Sequence, residues 1–528
     1  MKSRKSIQAS QYSDFLKSNP TLDNVLSNDR TIDEVCCCNP EFSSYITSER
    51  VRELIRYIIE EPIDPSNTIQ ACKYPLVASE FFTSDLPCLF NILFQEPNLM
   101  RYLFSFITRE PPINLLLAGY FQKAFESCLN YNTEEFLMIV FQESLHISLL
   151  KHLKSSSVAE IVYTIISSKG FYDERRMILI EIVSLIESAD LMTSYNANSV
   201  LCRLNKDDDI YQELLSKEVF DKLLCFVKGK KTYIIRNAGG VVKNVLNLSG
   251  ETVSEHFVKK VSGFVDILCL DGDEKIITQF GVEVKCFGEH RLIVLEIMVL
   301  ICNFPILVNE VSNEINRIIN LLDTYKWSSY FHHAFTGFIE ALINTSANEY
   351  VKALLKAEFP QILIELASSS VVKCKKFSTA SGCTGHVYKM INLLVNSKIE
   401  AITTSMDLME RWVGFHPKLD DYNEIESKNI GGKANINFFD NLSSEDSGEK
   451  AEENDLIPDY PYTKPITGKE LEELTDLFDM EDKKPQKNPF MSTKCITNAT
   501  LEELAANEYL DNVYWKFNIN TCYLDELD

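Results

Sequence analysis

From about Thr21 to Phe415, apolar residues return at the spacing of one α-helix face, segment after segment. Leu99, Tyr102, Leu103, Phe106 and Ile107 fall at i, i+3, i+4, i+7 and i+8. Leu117, Phe121, Ala124, Phe125 and Cys128 form the same stripe, as do Val158, Ile161, Val162, Ile165 and Ile166, and then Leu179, Ile182, Val183 and Ile186. The alternation that marks a strand is scarce. Small breaks separate the stripes: Glu61-Pro62, Glu96-Pro97, Pro111-Pro112, Ser168-Lys169-Gly170 and Phe304-Pro305. Many short helices in series favour stacked helix pairs over one closed bundle. The predicted fold is therefore all-α, an α-solenoid of HEAT- or armadillo-like repeats, although no fixed sequence period is visible. Residues 291–302 are apolar nearly all round, which places that helix inside the stack, covered on several sides.

Charge divides the chain. The net charge is −24, of which residues 417–528, with 26 acidic and 11 basic side chains, hold −15. Stretches such as Ser443–Glu449 and Glu452–Asp455 offer too little apolar surface to offset chain entropy. The expected organisation is a flexible N-terminus over 1–20, a helical-repeat domain over 21–416, and a mainly disordered acidic tail over 417–528. Within the tail, Thr467–Met480 and Thr500–Tyr514 have the pattern of short docking helices. The acidic balance argues against nucleic acid and against anionic membrane surfaces, and leaves proteins as partners.

Chemistry is hard to find. The fifteen cysteines include no C-x-x-C, and the Cys36-Cys37-Cys38 run points its thiols in different directions. There is no H-E-x-x-H, G-x-S-x-G, G-x-G-x-x-G or complete P-loop; Gly229-Lys230-Lys231-Thr232 reads as a basic turn. Asp271-Gly272-Asp273-Glu274 lacks the spacing of a calcium loop, and Cys383 and His386 lack an orienting partner. No signal peptide and no span long enough for a bilayer are read from the sequence. The expectation is a non-enzymatic protein without cofactors in a reducing compartment, cytoplasmic and with the nucleus as a further location.

The densest punctuation lies between Tyr74 and Phe121. Tyr74-Pro75, Ser79-Glu80, Asp85 and Pro111-Pro112-Ile113-Asn114-x-Leu116-Leu117-Ala118 resemble, in order and spacing, the SAPS family, the regulatory subunits of protein phosphatase 6. Further pieces follow in family order: Thr21–Val35, Asn196-Ala197-Asn198-Ser199-x-Leu201-Cys202, Gly288-x-x-Arg291-Leu292, Gly385-His386-Val387 and Trp412-x-x-Phe415. The family's aromatic opening is missing from the N-terminus, whereas Trp515-Lys516-Phe517-Asn518-Ile519 is similar to it.

The resemblance implies a scaffold that binds a protein phosphatase 6-like catalytic subunit and directs it to substrates, with room for a third, substrate-recruiting subunit. The metals would belong to the partner, because the phosphatase motifs Gly-Asp-x-His-Gly and Gly-Asn-His-Glu are absent here. It assigns partner contact to Tyr74, Pro75, Glu80, Asp85, Arg109, Glu110, Pro111, Pro112 and Asn114. The residues themselves read as fixing helix geometry: Pro111-Pro112 gives a rigid approach, and Asn114 suits an N-cap. A helical-repeat adaptor for transport or trafficking, without a phosphatase, is the alternative.

Overall fold

The computed structural model describes residues 11–62, 67, 69–84, 86–270, 275–277, 283–368, 371–373, 378–380 and 382–427. The described residues up to Asn423 belong to one compact unit. Asp85, the Asp271–Glu274 turn, the Ser443–Glu449 and Glu452–Asp455 stretches, the two docking-helix candidates and Trp515–Ile519 lie outside the described residues.

Two rows of helices build this unit. The first row is α1 (Ser48–Ile59), α2 (Tyr74–Thr83), α3 (Leu115–Tyr131), α4 (Ser156–Ser167), α5 (Leu191–Arg203), α6 (Thr232–Val253), α7 (Glu289–Ile301), α8 (Ser329–Thr345) and α9 (Thr384–Asn396). Each of these packs against the next. A second row, including Tyr172–Leu185, Lys217–Val227, Val261–Cys269, Val308–Ile319 and Asn348–Lys356, runs beside the first, with Val308–Ile319 packed between Val261–Cys269 and Asn348–Lys356. Contacts thus run from neighbour to neighbour, the arrangement of a solenoid.

The apolar stripes explain this layering. Leu117, Phe121, Ala124, Phe125 and Cys128 on α3 are all buried, as are Val158, Ile161, Val162, Ile165 and Ile166 on α4. α7 carries Val294, Leu295, Ile297, Met298 and Ile301 with no exposed surface, between α6, α8 and Val261–Cys269. Burial of each such side chain stabilises by about 2 kcal/mol.

Two findings depart from the expected boundaries. A helix over 11–17 buries Tyr12 and Leu16, and the Tyr12 hydroxyl lies 2.8 Å from Thr31 Oγ1, so this stretch is part of the core. At the other end, Glu410–Ser427 is helical with Pro417 inside it, and Leu419 is buried. Two short antiparallel hairpins also interrupt the helices: β1 (Lys275–Ile277) with β2 (Glu283–Lys285), and β3 (Val371–Lys373) with β4 (Ser378–Ala380). Each is inserted just before a first-row helix.

Candidate partner-binding edge

The connections that lead from a second-row helix into the next first-row helix bond to one another in sequence order. His152 Nε2 lies 2.9 Å from the Arg109 carbonyl oxygen, 43 residues away. Asn196 then donates to the carbonyls of Leu153 (2.8 Å) and Lys154 (3.0 Å). Lys154 pairs with Asp190 at 3.1 Å, the Tyr233 hydroxyl donates to the Ser188 carbonyl at 2.9 Å, and Arg236 pairs with Glu289 at 2.8 Å. The starts of α3, α4, α5, α6 and α7 therefore form one continuous edge.

The Arg109–Asn114 segment is part of that edge. Asn114 Oδ1 accepts from the amides of Leu116 (3.0 Å) and Leu117 (3.2 Å), satisfying donors that the first helical turn leaves open. Its amide nitrogen donates to Glu61 Oε1 at 3.3 Å, tying the connection into α3 to the one that leaves α1. The Pro111-Pro112 peptide is cis. Arg109, Glu110, Pro111 and Pro112 are exposed, with the Arg109 guanidinium 5.4 Å from the Phe106 ring centroid.

The other assigned residues behave differently. Tyr74 and Pro75 are buried at the start of α2, and Tyr74 meets Tyr57 edge-on at 5.5 Å. These two shape the helix entrance and are largely covered. Glu80 is half-buried and pairs with Lys123 at 2.9 Å, bracing α2 against α3. The structure thus separates the assigned set into an exposed group at 109–114 and a structural group at 74–80.

Sequence reasoning missed the apolar part of the edge. Leu115 (56% exposed) and Leu116 (44%) open α3, Leu191 (49%) opens α5, and Tyr330 (61%) lies at the start of α8. Three consecutive leucines at 115–117 were the available signal, since one helix face can bury only some of them. Arg291, from the Gly-x-x-Arg motif, is another missed role. It is buried and donates to the carbonyls of Leu270 (2.7 Å) and Phe287 (3.0 Å), closing the neck of the first hairpin. Gly288 beside it has φ +76°, and a Cβ there would meet the His290 ring at 2.8 Å.

Among the described residues, no cluster of three His, Cys, Asp or Glu side chains could hold a metal. Cys36, Cys37 and Cys38 are exposed, and burial raises the Cys36 thiol above its ordinary pKa. Cys383 is buried, while the neighbouring His386 ring faces His332 and Thr336. Among the described residues, no single helix is long and apolar enough to cross a membrane.

Fold and edge together define a class: a helical-repeat scaffold that presents a polar and apolar rim. No protein-family model matches the chain. It is 24% identical over 387 residues to mouse serine/threonine-protein phosphatase 6 regulatory subunit 2, covering 63% of this chain and 42% of that protein. It is 22% identical over 479 residues to chicken serine/threonine-protein phosphatase 6 regulatory subunit 3, covering 75% and 55%. A match of 28% over 159 residues joins it to the fission yeast extragenic suppressor of kinetochore protein 1, covering 28% and 18%. These homologues are consistent with membership of the SAPS family. The chain spans about half the length of the curated relatives it matches. Among solved structures, a computationally designed armadillo repeat protein aligns with 45% of this chain and 92% of its own, at 15% identity and a TM-score of 0.32. An engineered protein aligns with 77% and 98%, at 13% identity and 0.35.

Proposed function

We propose that this chain is a regulatory subunit that binds a protein phosphatase 6-like serine/threonine phosphatase catalytic subunit and directs it to substrates. The observation that carries the reading is its homology to phosphatase 6 regulatory subunits over 50–75% of its length. The exposed Arg109–Pro112 segment and the neighbouring Leu115 and Leu116 supply a surface suited to that contact. Charged side chains beside exposed leucines are the usual composition of a protein–protein rim and core. The metal ions and the nucleophilic water of dephosphorylation belong to the catalytic partner. A third subunit that recruits substrates, and a cytoplasmic and nuclear location, complete the proposal.

The test is affinity capture of the full chain from cell extract, with bound proteins identified by mass spectrometry. A phosphatase 6-type catalytic chain is expected with the wild type and is expected to be depleted at least tenfold with Arg109→Glu/Glu110→Lys. Capture of transport or trafficking factors without any phosphatase would replace this reading with that of another adaptor. Unchanged phosphatase capture by the double variant would move the contact off this segment.

A further inference from the structure

Four of the eight histidines stand at the beginnings of three successive first-row helices: His290 on α7, His332 and His333 on α8, and His386 on α9. His332 has no exposed surface, and its ring nitrogens make no well-formed hydrogen bond, although the carbonyls of Tyr325 and Lys326 lie near them. Its ring stacks on that of His386 across the α8–α9 joint, with centroids 5.8 Å apart and planes 25° apart. His386 also faces His333 at 6.5 Å, and its Nδ1 lies 3.4 Å from Thr336 Oγ1. Further along the row, His290 Nδ1 is buried without a partner.

The charges around this group oppose protonation. Among the described residues, the histidines that pair with carboxylates are His256 and His416, both elsewhere. Arg291 adjoins His290, while His333 and Lys389 adjoin His386. Glu289, Glu296 and Glu365 on the packed helices pair with Arg236, Lys243 and Arg411, and Glu340 on α8 itself faces solvent. Helix N-termini carry partial positive charge, which adds to the penalty. The carbonyls of Tyr325 and Lys326 relieve it only in part.

We propose that the α8–α9 joint is an acid-sensitive switch, in which protonation of His332 parts the two helices and releases the last repeat from the stack. An imidazolium stacked on a second imidazole in an apolar joint regains water only when the joint opens. Burial holds His332 down to about 4 in the closed joint, and an exposed imidazole returns to about 6.5. The open form is thus favoured by up to about tenfold for each pH step inside that window. From pH 7.5 to 5.0 the open population rises about 30-fold from His332 alone.

Amide hydrogen exchange on the full chain at pH 7.5 and 5.0, corrected for intrinsic exchange rates, reads this directly. Protection in α8 and α9 is expected to fall about 30-fold or more, while α4 and α5, which contain no histidine, lose far less. His332→Phe fills the site with an uncharged ring and is expected to abolish the loss. His386→Gln leaves the core packed around His332 and is expected to lessen it. Equal loss of protection in all four helices overturns the proposal, as does a loss in His332→Phe as large as in the wild type.

Discussion

His152 donates through Nε2 to the Arg109 carbonyl oxygen at 2.9 Å, joining connections 43 residues apart in the chain. His152 is only 3% exposed, so the bond fixes an exposed segment from below. Replacing His152 with Ala leaves that carbonyl to find water and opens a cavity, at a cost of about 1–3 kcal/mol. Thermal unfolding should register the loss, and faster amide exchange should be concentrated at residues 109–114. Loss of stability without that local change would separate His152 from the positioning of Arg109.

The Asn114 cap makes a finer prediction. Asn114→Ala removes the acceptor for two amides and the bond to Glu61, and should destabilise by about 1 kcal/mol. Asn114→Asp keeps the cap and should recover most of the loss in a urea titration. If both variants lose the same stability, the Glu61 contact rather than the cap is the larger contribution.

Arg175 is a buried polar brace in the second row. It has no exposed surface, forms a bidentate pair with Asp209 at 2.7 Å for each bond, and donates to the Gly170 (2.6 Å) and Ile166 (3.0 Å) carbonyls. Arg175→Met leaves those acceptors without their donor and should cost about 3 kcal/mol. Asp209→Asn should cost less, because the Asp209 side chain is 55% exposed. Denaturant midpoints of the two variants decide the order.

Stability should also fall on the acid side of neutrality. Burial holds His290 and His332 down to about 4, below the ordinary value of about 6.5. The unfolded chain therefore binds more protons between these limits, and stability is full above about 6.5 and lost as pH falls towards 4. The hydrogen bond from Arg175 lowers the Asp209 carboxyl, which adds a loss in the same direction at still lower pH. Between pH 7.5 and 5.0 the linkage of the buried His332 is worth roughly 2 kcal/mol. Denaturant titrations at pH 7.5 and 5.0 should show it, and His332→Phe should narrow the gap.

The helices were legible because their stripes are long and regular, as in α3 and α4. The repeat was not, because its spacing appears in contacts rather than in residue identities. Arg109 and His152, Leu153 and Asn196, and Ser194 and Asn237 are each 43 apart. Arg236 and Glu289, which flank the first hairpin, are 53 apart. Insertions of this kind erase a fixed period while leaving the stack intact. The boundary at 417 rests on composition, yet a helix runs through Pro417, where a proline normally ends one. Here the helix is held beyond it by the Tyr388–Tyr422 ring stack at 4.3 Å and by reciprocal amide bonds between Asn392 and Asn423.

At the edge, the residues assigned from the sequence divide into packed and exposed ones. Tyr74 and Pro75 carry the family pattern because they are packed, and Asn114 because it caps. Asn196 and Arg291 bridge carbonyls of separate segments, roles visible only once those segments meet. Arg109 and Glu110 have no such duty in the fold, which leaves their side chains available to a partner.

Direct binding of the purified full chain to a purified phosphatase 6-type catalytic subunit, followed by calorimetry or sedimentation, tests the central proposal most directly. A one-to-one complex that weakens at least tenfold with Arg109→Glu/Glu110→Lys is the expected result. No detectable association between folded, purified components would contradict it.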